Sequence, residues 1–287
     1  MQVWLATDAA HRALTEDDRI LAAALAGNGV EVAAAVWSEM SLPPARSVDA
    51  VIVRSCWEYH LHAAAFARWL DELDAAGIPV LNPTPLIRWN LHKRYLLELA
   101  ARGVAIVPTA LVPQGAAPSL RALLVETAWR EAVVKPAISL GAYETWRVAA
   151  DAVSAADEER FAASCDAGDV LLQAYVPAIE SEGEWSLVFI GGAYSHAVRK
   201  RPRPGDFRVQ TDFGGSVAAE SPPAVLVADA SKVLAALPMP PAYARVDGID
   251  VGGRLVLMEA ECIDPVLYFR FAPAAAERLA ALVLDLR

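Results

Sequence analysis

The chain of 287 residues is long enough for two or three subdomains and a sizeable hydrophobic core. Its hydrophobic fraction of 55% and charged fraction of 21% are typical of a compact globular protein and exclude an intrinsically disordered one. The net charge of −10 argues against a broad nucleic-acid-binding surface, so an anionic ligand needs a local basic pocket.

The cysteines and the apolar segments bear on where the protein works. Cys56, Cys165 and Cys262 are scattered and lack the spacing of metal ligands, which favours reduced thiols in the cytoplasm. The N-terminus has no basic region followed by an apolar core, and no apolar run is long enough to span a bilayer. We therefore expect a cytoplasmic protein that binds neither membranes nor nucleic acids. The sequence leaves the oligomeric state open, and a homodimer is one option.

Strands and helices alternate through the first 88 residues. Thr15, with Asp18 three residues later, indicates a helix N-terminus, and the apolar spacing of residues 63–76 predicts a second helix. Short apolar strands are predicted at residues 2–6, 30–37, 48–53 and 78–83, the second and third of them buried and parallel. This order predicts an open α/β layer, in which ligands bind beyond the carboxyl ends of the strands.

The third strand ends in Arg54-Ser55-Cys56-Trp57-Glu58-Tyr59. An arginine at this position points into the crevice, and its planar guanidinium suits a carboxylate. Trp57 and Tyr59 can wall a small organic substrate. The alternative is a surface arginine paired with Glu58 beside two packing aromatic residues, and both interpretations stay open.

Two lysines stand at the ends of predicted elements. A helix from Trp89 to Gly103 carries Lys93 where the first layer ends, although a lysine on an amphipathic helix is ordinarily just solvated. A second module begins near residue 107. In it, Lys135 terminates a β-branched strand and is followed by a loop of small residues. Such a lysine can lie over the phosphates of a nucleotide while the loop folds across them.

The segment from residue 170 to residue 216 contains further ligand-binding features. The strand at residues 170–177 leads to a hinge whose exposed backbone can bond to an adenine edge, and Glu184 can accept ribose hydroxyls. Residues 199–203, Arg-Lys-Arg-Pro-Arg, are the one dense basic cluster of an acidic protein. With the glycine-containing segments at 205–210 and 214–216, this cluster makes a credible cradle for a transferring phosphoryl group.

Residues 244–269 predict two strands joined by a glycine turn. Asp247 lies on the first strand, and Glu259 and Glu261, two residues apart at the end of the second, share one face. A register that brings the three carboxylates together requires a counter-ion, because repulsion and desolvation otherwise favour their protonation. Oxygen ligands suit Mg²⁺, particularly with phosphates in its shell. The alternative is a hairpin whose acidic residues face solvent.

The order of these features resembles the ATP-grasp superfamily of carboxylate ligases over nearly the whole chain. An ordered set carries the resemblance: Lys93, Lys135, the hinge at 173–176, Glu184, Gly205-Asp206-Phe207-Arg208, Gly214-Gly215, Asp247 and Glu259-Ala260-Glu261. The resemblance implies an α/β protein of the ATP-grasp fold, with an N-terminal open α/β domain followed by two α+β lobes that enclose the nucleotide. The implied boundaries are 1–88 for the substrate-side domain, 89–107 for a connecting helix, 108–176 for the small lobe and 177–287 for the large lobe with the metal site.

The same resemblance implies ATP and Mg²⁺ as cofactors and gives individual residues their roles. Many family members have Glu-x-Asn where this chain has Glu259-x-Glu261, which leaves the metal stoichiometry open. The expected residues are Lys93, Lys135, Gln173, Ala174, Val176 and Glu184 for ATP; Asp247, Glu259 and Glu261 for the metal; Lys200, Arg201 and Arg208 for the acyl phosphate; and Arg54, Trp57, Tyr59, Arg199, Gln210, Gly214 and Gly215 for the substrate.

Further motifs are similar to a narrower group of ligases, which includes the O-ureido-D-serine cyclo-ligase of D-cycloserine biosynthesis. These motifs are Arg54-Ser-x-Trp-x-Tyr, Trp89-Asn90-x-x-Lys93-Arg94-Tyr95-Leu96, the run at 196–200 and Asp264-Pro265. The resemblance implies that ATP activates the carboxylate of a small amino-acid-like substrate as an acyl phosphate, which a nitrogen of the same molecule attacks. Two alternatives remain, a ligase that joins two separate amino-acid molecules and a nucleotide-binding protein without catalysis.

Overall fold

The computed structural model describes residues 1–40, 48–116 and 118–286. Three sheets follow one another along the chain, each with its own helices. None of the helices in these ranges has the length and apolar character needed to cross a membrane. Short 3₁₀ helices occur at Ala9–His11, Tyr59–His62, Thr211–Phe213 and Phe269–Phe271.

The first sheet is parallel throughout, as predicted. The hydroxyl of Thr15 accepts the Asp18 N–H and caps the first helix, which confirms the predicted N-terminus. The elements are β1 (Gln2–Thr7), α1 (Glu16–Gly27), β2 (Glu31–Val36), β3 (Ala50–Ser55), α2 (Ala63–Ala75) and β4 (Val80–Leu81). The strand order is β2-β1-β3-β4, so β2 is an edge strand and is partly exposed rather than buried as expected.

Two helices, α3 (Thr84–Leu91) and α4 (Tyr95–Ala101), follow the first sheet. The prediction of a single helix is wrong, because His92 has extended dihedral angles (φ −109°, ψ 120°) that end α3. The break frees the N–H of Lys93, which donates to the carbonyl of Ala137 at 2.8 Å. The chain thereby brings Lys93 to the loop that follows residue 136.

The second sheet is antiparallel and has a core of its own. Its elements are β5 (Thr109–Val112), α5 (Leu120–Thr127), β6 (Glu131–Pro136), β7 (Trp146–Ala149), α6 (Ala155–Ala167) and β8 (Val170–Ala174). The strand order is β5-β8-β6-β7. Lys135 lies near the end of β6, and β8 leads directly to the predicted hinge.

The third sheet is also antiparallel, and it contains the predicted hairpin. Its elements are α7 (Ala178–Ser181), β9 (Glu184–Ile190), β10 (Ala193–Arg201), β11 (Ser216–Ala219), α8 (Ala224–Ala235), β12 (Tyr243–Val251) and β13 (Arg254–Glu261). The strand order is β11-β10-β9-β12-β13. Within the hairpin, Arg245 lies opposite Glu261 and Asp247 lies opposite Glu259, so these four side chains share one face.

The last helix, α9 (Pro273–Leu284), returns to the first sheet and packs against α1. Leu279 and Val283 of α9 lie in one buried apolar cluster with Leu5 of β1 and Val188 of β9. Each sheet lies within one of the predicted segments 1–88, 108–176 and 177–287. Because α9 contributes to the core beside the first sheet, the exact domain boundaries stay a prediction.

Gly248 follows a register shift in the hairpin, and the two strands approach each other closely at this residue. A Cβ atom there would lie 2.7 Å from the carbonyl oxygen of Val256, which is backbone and moves little. We expect Gly248→Ala to lower the free energy of unfolding by about 1–3 kcal/mol, measured by urea denaturation. Gly27→Ala is the matched control, because its Cβ would meet nothing within 4 Å. Equal stability of the two variants would contradict the described register.

Candidate active site

A cavity of about 650 Å³ lies where the three sheets meet. This volume is in the range of small-molecule and cofactor sites. Its walls include the segment after β3, the loop after β6, the hinge after β8 and one face of the β12–β13 hairpin. The predicted site residues that line it are Trp57, Lys93, Lys135, Gln173, Ala174, Val176, Glu184, Lys200, Arg208, Gln210, Asp247, Glu259 and Glu261.

Two lysines enter the cavity from different elements. The Nζ atom of Lys93 donates to the carbonyl of Ser139 at 2.8 Å and to Glu259 at 2.5 Å. Lys135 is partly buried and lines the same space. Burial lowers the pKa of Lys135 to about 8, with the charge of Glu259 opposing the shift and that of Lys93 adding to it. Positive charge is thus concentrated beside the loop at residues 137–141.

The hinge after β8 exposes backbone groups because of a proline on the neighbouring strand. Ala174 donates its N–H to the carbonyl of Pro108 at 2.9 Å. In an antiparallel ladder the N–H and C=O of one residue point to the same side, and proline has no N–H to donate in return. The carbonyl of Ala174 is therefore left for another donor. Gln173 holds the strand in place, with its side-chain amide donating to the Thr109 hydroxyl at 3.0 Å.

The hairpin face carries a compact set of paired charges. Arg245 donates to both oxygens of Asp247, at 2.9 Å from Nε and 2.8 Å from Nη2, and it also contacts Glu261. Burial alone would raise the pKa of Asp247, but the charges of Arg245 and Lys200 outweigh it and hold the pKa below its usual value. For Glu261 burial prevails and raises the pKa to about 7, against the charge of Arg245.

Lys200, on β10, also contacts these paired charges. Its Nζ atom lies 2.7 Å from Glu184 and 3.4 Å from Asp247, and all three side chains are buried. The hydroxyl of Ser186 donates to Asp247 at 2.6 Å. Asp247 is therefore held by three side chains, whereas Glu259 and Glu261 each contact one basic residue.

The three predicted metal ligands share a face but are not arranged as a ready-made metal site. Across residues 1–40, 48–116 and 118–286, no group of three or more acidic, histidine or cysteine side chains has the geometry of one. The donor chemistry nevertheless fits Mg²⁺, which is usually bound through one or two carboxylates together with phosphate oxygens. Glu259 and Glu261 are the better donors, because Asp247 is already held by Arg245, Lys200 and Ser186.

Comparison with known proteins agrees with the fold. Residues 3–82 match the family described as the N-terminal domain of D-cycloserine synthetase DcsG. The chain is 30% identical to the cycloserine biosynthesis protein DcsG of Streptomyces lavendulae over 294 residues, which cover 96% of this chain and 98% of that protein. The chain belongs to the DcsG family of ATP-grasp ligases.

Solved structures extend the family assignment to the whole fold. The crystal structure of D-cycloserine synthetase DcsG matches with a TM-score of 0.90 and 29% identity over 100% of both chains. D-alanine–D-alanine ligase from Bacillus anthracis, solved with ATP, matches with a TM-score of 0.71 and 15% identity over 99% of this chain and 96% of that one, which shows the fold alone. The predicted ATP-grasp fold is confirmed, and the chain is an ATP-dependent ligase.

Arg54 lies outside the cavity lining, contrary to both interpretations of the sequence. Its side chain is buried, with Nε donating to Asp18 at 2.9 Å and Nη2 donating to the carbonyl of Pro265 at 3.0 Å. Asp17, 3.4 Å from Nη2, accepts the N–H groups of Leu267 and Phe269. Arg54 therefore ties α1 and β3 to the chain after β13.

Strand alternation explains two more of the predicted residues that do not line the cavity. Lys200 points into the cavity, so its neighbours Arg199 and Arg201 on β10 point to the other face of the sheet. Arg199 contacts Glu182 and lies over the ring of Trp185, and Arg201 pairs with Glu220.

Tyr59, Gly214 and Gly215 also lie outside the lining. Tyr59 packs against Phe66 in the core beside the first sheet. A Cβ on Gly215 would lie 2.1 Å from the carbonyl oxygen of Val209. The glycine therefore permits a close backbone approach beside Gln210, which does line the cavity.

Arg245 is the main site residue that the sequence reasoning missed. It lies two residues before Asp247 on a strand, and the alternation that put Glu259 and Glu261 on one face applies equally to this pair. The second omission is Asp264, whose motif with Pro265 was noted without a role. Arg208, expected at the acyl phosphate, lines the cavity, and its guanidinium donates to Asp206 at 2.9 Å.

Replacement of Arg54 distinguishes a structural from a substrate-binding role. Arg54→Met leaves Asp17 and Asp18 buried without their cation, so we expect the free energy of unfolding to fall by about 3–5 kcal/mol. Urea denaturation measures the loss, and Arg12→Met, which breaks the exposed pair with Glu39, should leave the midpoint unchanged. Unchanged stability together with a higher KM for an amino-acid substrate would restore the substrate-binding role.

Proposed function

We propose that this ligase activates the carboxylate of an O-ureido-serine-like amino acid and closes a ring within that molecule, a cycloserine-type biosynthetic reaction. The observation that carries the proposal is the single cavity bounded by both lysines, the hinge and Trp57. One chamber of about 650 Å³ then holds the nucleotide and a small substrate together. The similarity to DcsG along nearly the full chain supports this substrate class.

The nucleotide is assigned to the part of the cavity that carries backbone and lysine donors. We assign the adenine edge to the carbonyl of Ala174 and the N–H of Val176. The ribose hydroxyls are assigned to the oxygen of Glu184 that Lys200 does not use. Lys93 and Lys135 bind the phosphates. Mg²⁺ held by Glu259 and Glu261 would neutralise phosphate charge when it is bound. All these residues come from one chain, so the site does not require a homodimer to be complete.

The proposed reaction has two displacements. A carboxylate oxygen of the substrate attacks the γ-phosphorus of ATP, and ADP leaves as an acyl phosphate forms. A nitrogen of the same substrate then attacks the acyl carbon, loses its proton, and inorganic phosphate leaves. Lys200 and Arg208 line the cavity and stabilise the negative charge on the transferred group. Catalysis thus rests on positioning and charge, and it needs no covalent enzyme intermediate.

A substrate screen with product masses tests the proposal directly. ADP release is measured with O-ureido-D-serine, its L-enantiomer and a panel of D- and L-amino acids. We expect ADP release with O-ureido-D-serine and a product whose mass corresponds to one substrate molecule and not to two joined molecules. A product that combines two amino acids would indicate an intermolecular ligase. ATP binding without ADP release across the panel would indicate a nucleotide-binding protein without catalysis.

Glu259 links Lys93 to the carboxylate face and is central to the proposed phosphate site. We expect Glu259→Gln to lower substrate-dependent ADP release by at least about 100-fold, because a carboxylate that would hold the Mg²⁺ beside the transferring phosphate is lost. The thermal unfolding midpoint should stay close to that of the native protein. Glu220→Gln is the control, because Glu220 pairs with Arg201 outside the cavity lining. Near-normal turnover of the Glu259 variant would count strongly against the assignment.

The lowered pKa of Lys135 predicts a pH dependence of ATP binding. With a pKa of about 8 in the free protein, the ammonium form is lost as the pH rises from 7 to 9.5. A bound triphosphate favours that charged form, so the Kd for ATP should rise over this window, approaching about tenfold per pH unit above 8. Lys135→Arg stays charged and should remove this dependence. Calorimetric titrations that give parallel profiles for the two proteins would exclude Lys135 as a phosphate ligand.

A further inference from the structure

His60 is the only histidine among the described residues that line the cavity. It lies on the short 3₁₀ helix Tyr59–His62, three residues after Trp57. The proposed reaction needs an acceptor for the proton that the attacking nitrogen loses, and the residues assigned so far do not include one. Histidine is the side chain most often used for such a transfer, because its basicity is matched to neutral pH.

The hydrogen bond of the imidazole ring fixes which of its nitrogens is basic. Nδ1 of His60 lies 2.9 Å from the main-chain carbonyl of Trp57. A carbonyl oxygen can only accept, so Nδ1 carries the hydrogen, and in the neutral ring Nε2 carries the lone pair. Nε2 has no hydrogen-bond partner among the described residues, and it is not one of their buried unpaired atoms. It is therefore open to a ligand or to water.

The ring lies between the regions assigned to the substrate and to the phosphates. Trp57, whose carbonyl holds Nδ1, belongs to the substrate side of the cavity, and the charge of Lys93, assigned to the phosphates, acts on the ring. Tyr143, in the loop after β6, packs edge-on against His60 with the ring centroids 5.1 Å apart. The nitrogen attacks the acyl carbon beside its phosphate, so His60 lies in the part of the cavity where this attack is assigned.

The surroundings of His60 favour the neutral ring. Burial lowers the pKa of His60 below its usual value of 6.5, the hydrogen bond to the backbone opposes the shift, and the charges of Lys93 and His62 add to it. The other polar groups packed against the ring are the phenols of Tyr59 and Tyr143. The imidazole is therefore neutral at pH 7 and able to take a proton.

The carboxylates of the cavity are engaged in other contacts. Glu259 and Glu261 are assigned to Mg²⁺, while Asp247 and Glu184 accept from Lys200. Oxygen atoms that hold a metal ion or an ammonium group are poor acceptors for a proton from the substrate. The free nitrogen of the imidazole has neither of those roles.

We propose that His60 is the general base of ring closure and takes, through Nε2, the proton of the nitrogen that attacks the acyl phosphate. This inference rests on the proposed function and deepens it. As Nε2 takes the proton, the electron pair of the nitrogen forms the bond to the acyl carbon, and the electrons of the C–O bond leave with inorganic phosphate. The imidazolium then gives its proton to the departing phosphate, which restores the neutral ring.

The test compares the native protein with His60→Asn, whose amide N–H can still donate to the Trp57 carbonyl but which has no basic nitrogen. ADP and the ring-closed product are quantified in single turnovers with O-ureido-D-serine. We expect ADP to form at a near-native rate, because the first displacement does not use His60, while product formation falls about 100-fold or more. Added hydroxylamine should trap the accumulated acyl phosphate as a hydroxamate. His62→Asn, which changes an exposed histidine outside the lining, should match the native protein at pH 8.

The pH dependence of product formation is a readout that a merely structural role would not change. Product formation by the native protein should fall as the pH is lowered through the pKa of His60, because an imidazolium cannot accept a proton, and this decrease should be absent from His60→Asn. His60→Gln is measured in parallel, and thermal midpoints identify a folding defect in either variant.

Three results would overturn the role of His60 and leave the proposed function standing. These are native-like product formation by His60→Asn, equal losses of ADP formation and product formation, and identical pH profiles in the two proteins. If the native protein releases no ADP with any amino acid of the panel, both proposals fall.

Discussion

The structure depends on the pairing of charges on one buried face of the β12–β13 hairpin. An unpaired buried charge is strongly unfavourable, so every carboxylate on this face needs a cation or a proton. Arg245 forms ion pairs with Asp247 and Glu261. Lys93 pairs with Glu259, and Lys200 of β10 pairs with Asp247. The side chains that neutralise the acids in the free protein are thus drawn from three separate parts of the chain. That requirement brings those parts to one cavity.

Under the proposed function, the same pairs make ligand binding an exchange of partners. Lys93 is bonded to Glu259 and, through Ser139 and Ala137, to the loop after β6. A triphosphate that takes the ammonium group of Lys93 as its partner releases the carboxylate of Glu259, and a metal ion suits the released oxygen. The nucleotide and its counter-ion therefore replace an existing ion pair, and no bare charge has to be buried. The helix is interrupted between α3 and α4, and this interruption brings the backbone N–H and the side chain of Lys93 to the same loop.

Local periodicity was sufficient to predict the parallel sheet, the hairpin and the shared face of Asp247, Glu259 and Glu261. It was insufficient wherever the direction or the partner of a side chain depended on residues distant in sequence. The basic run at 199–203 looked like one cluster, but alternation along β10 sends only Lys200 into the cavity, and the register of that strand is set by β9 and β11. Arg54 was placed correctly at a strand end. Its partners Asp17 and Asp18 come from α1, which no local pattern connects to β3.

The hydrophobic cores support the wall of the cavity in two different ways. Cys56 and Ile263, which precede Trp57 and Asp264 in the chain, are buried in one cluster with Val51 and Val53 of the first sheet. The second sheet has a separate core, and Ala137 and Leu171 are its buried members in the cluster shared with the hairpin. The second sheet, which carries Lys135 and leads to the hinge, is therefore tied to the hairpin through few buried apolar side chains. Its position relative to the hairpin depends more on polar contacts such as those of Lys93 with Ser139 and Glu259.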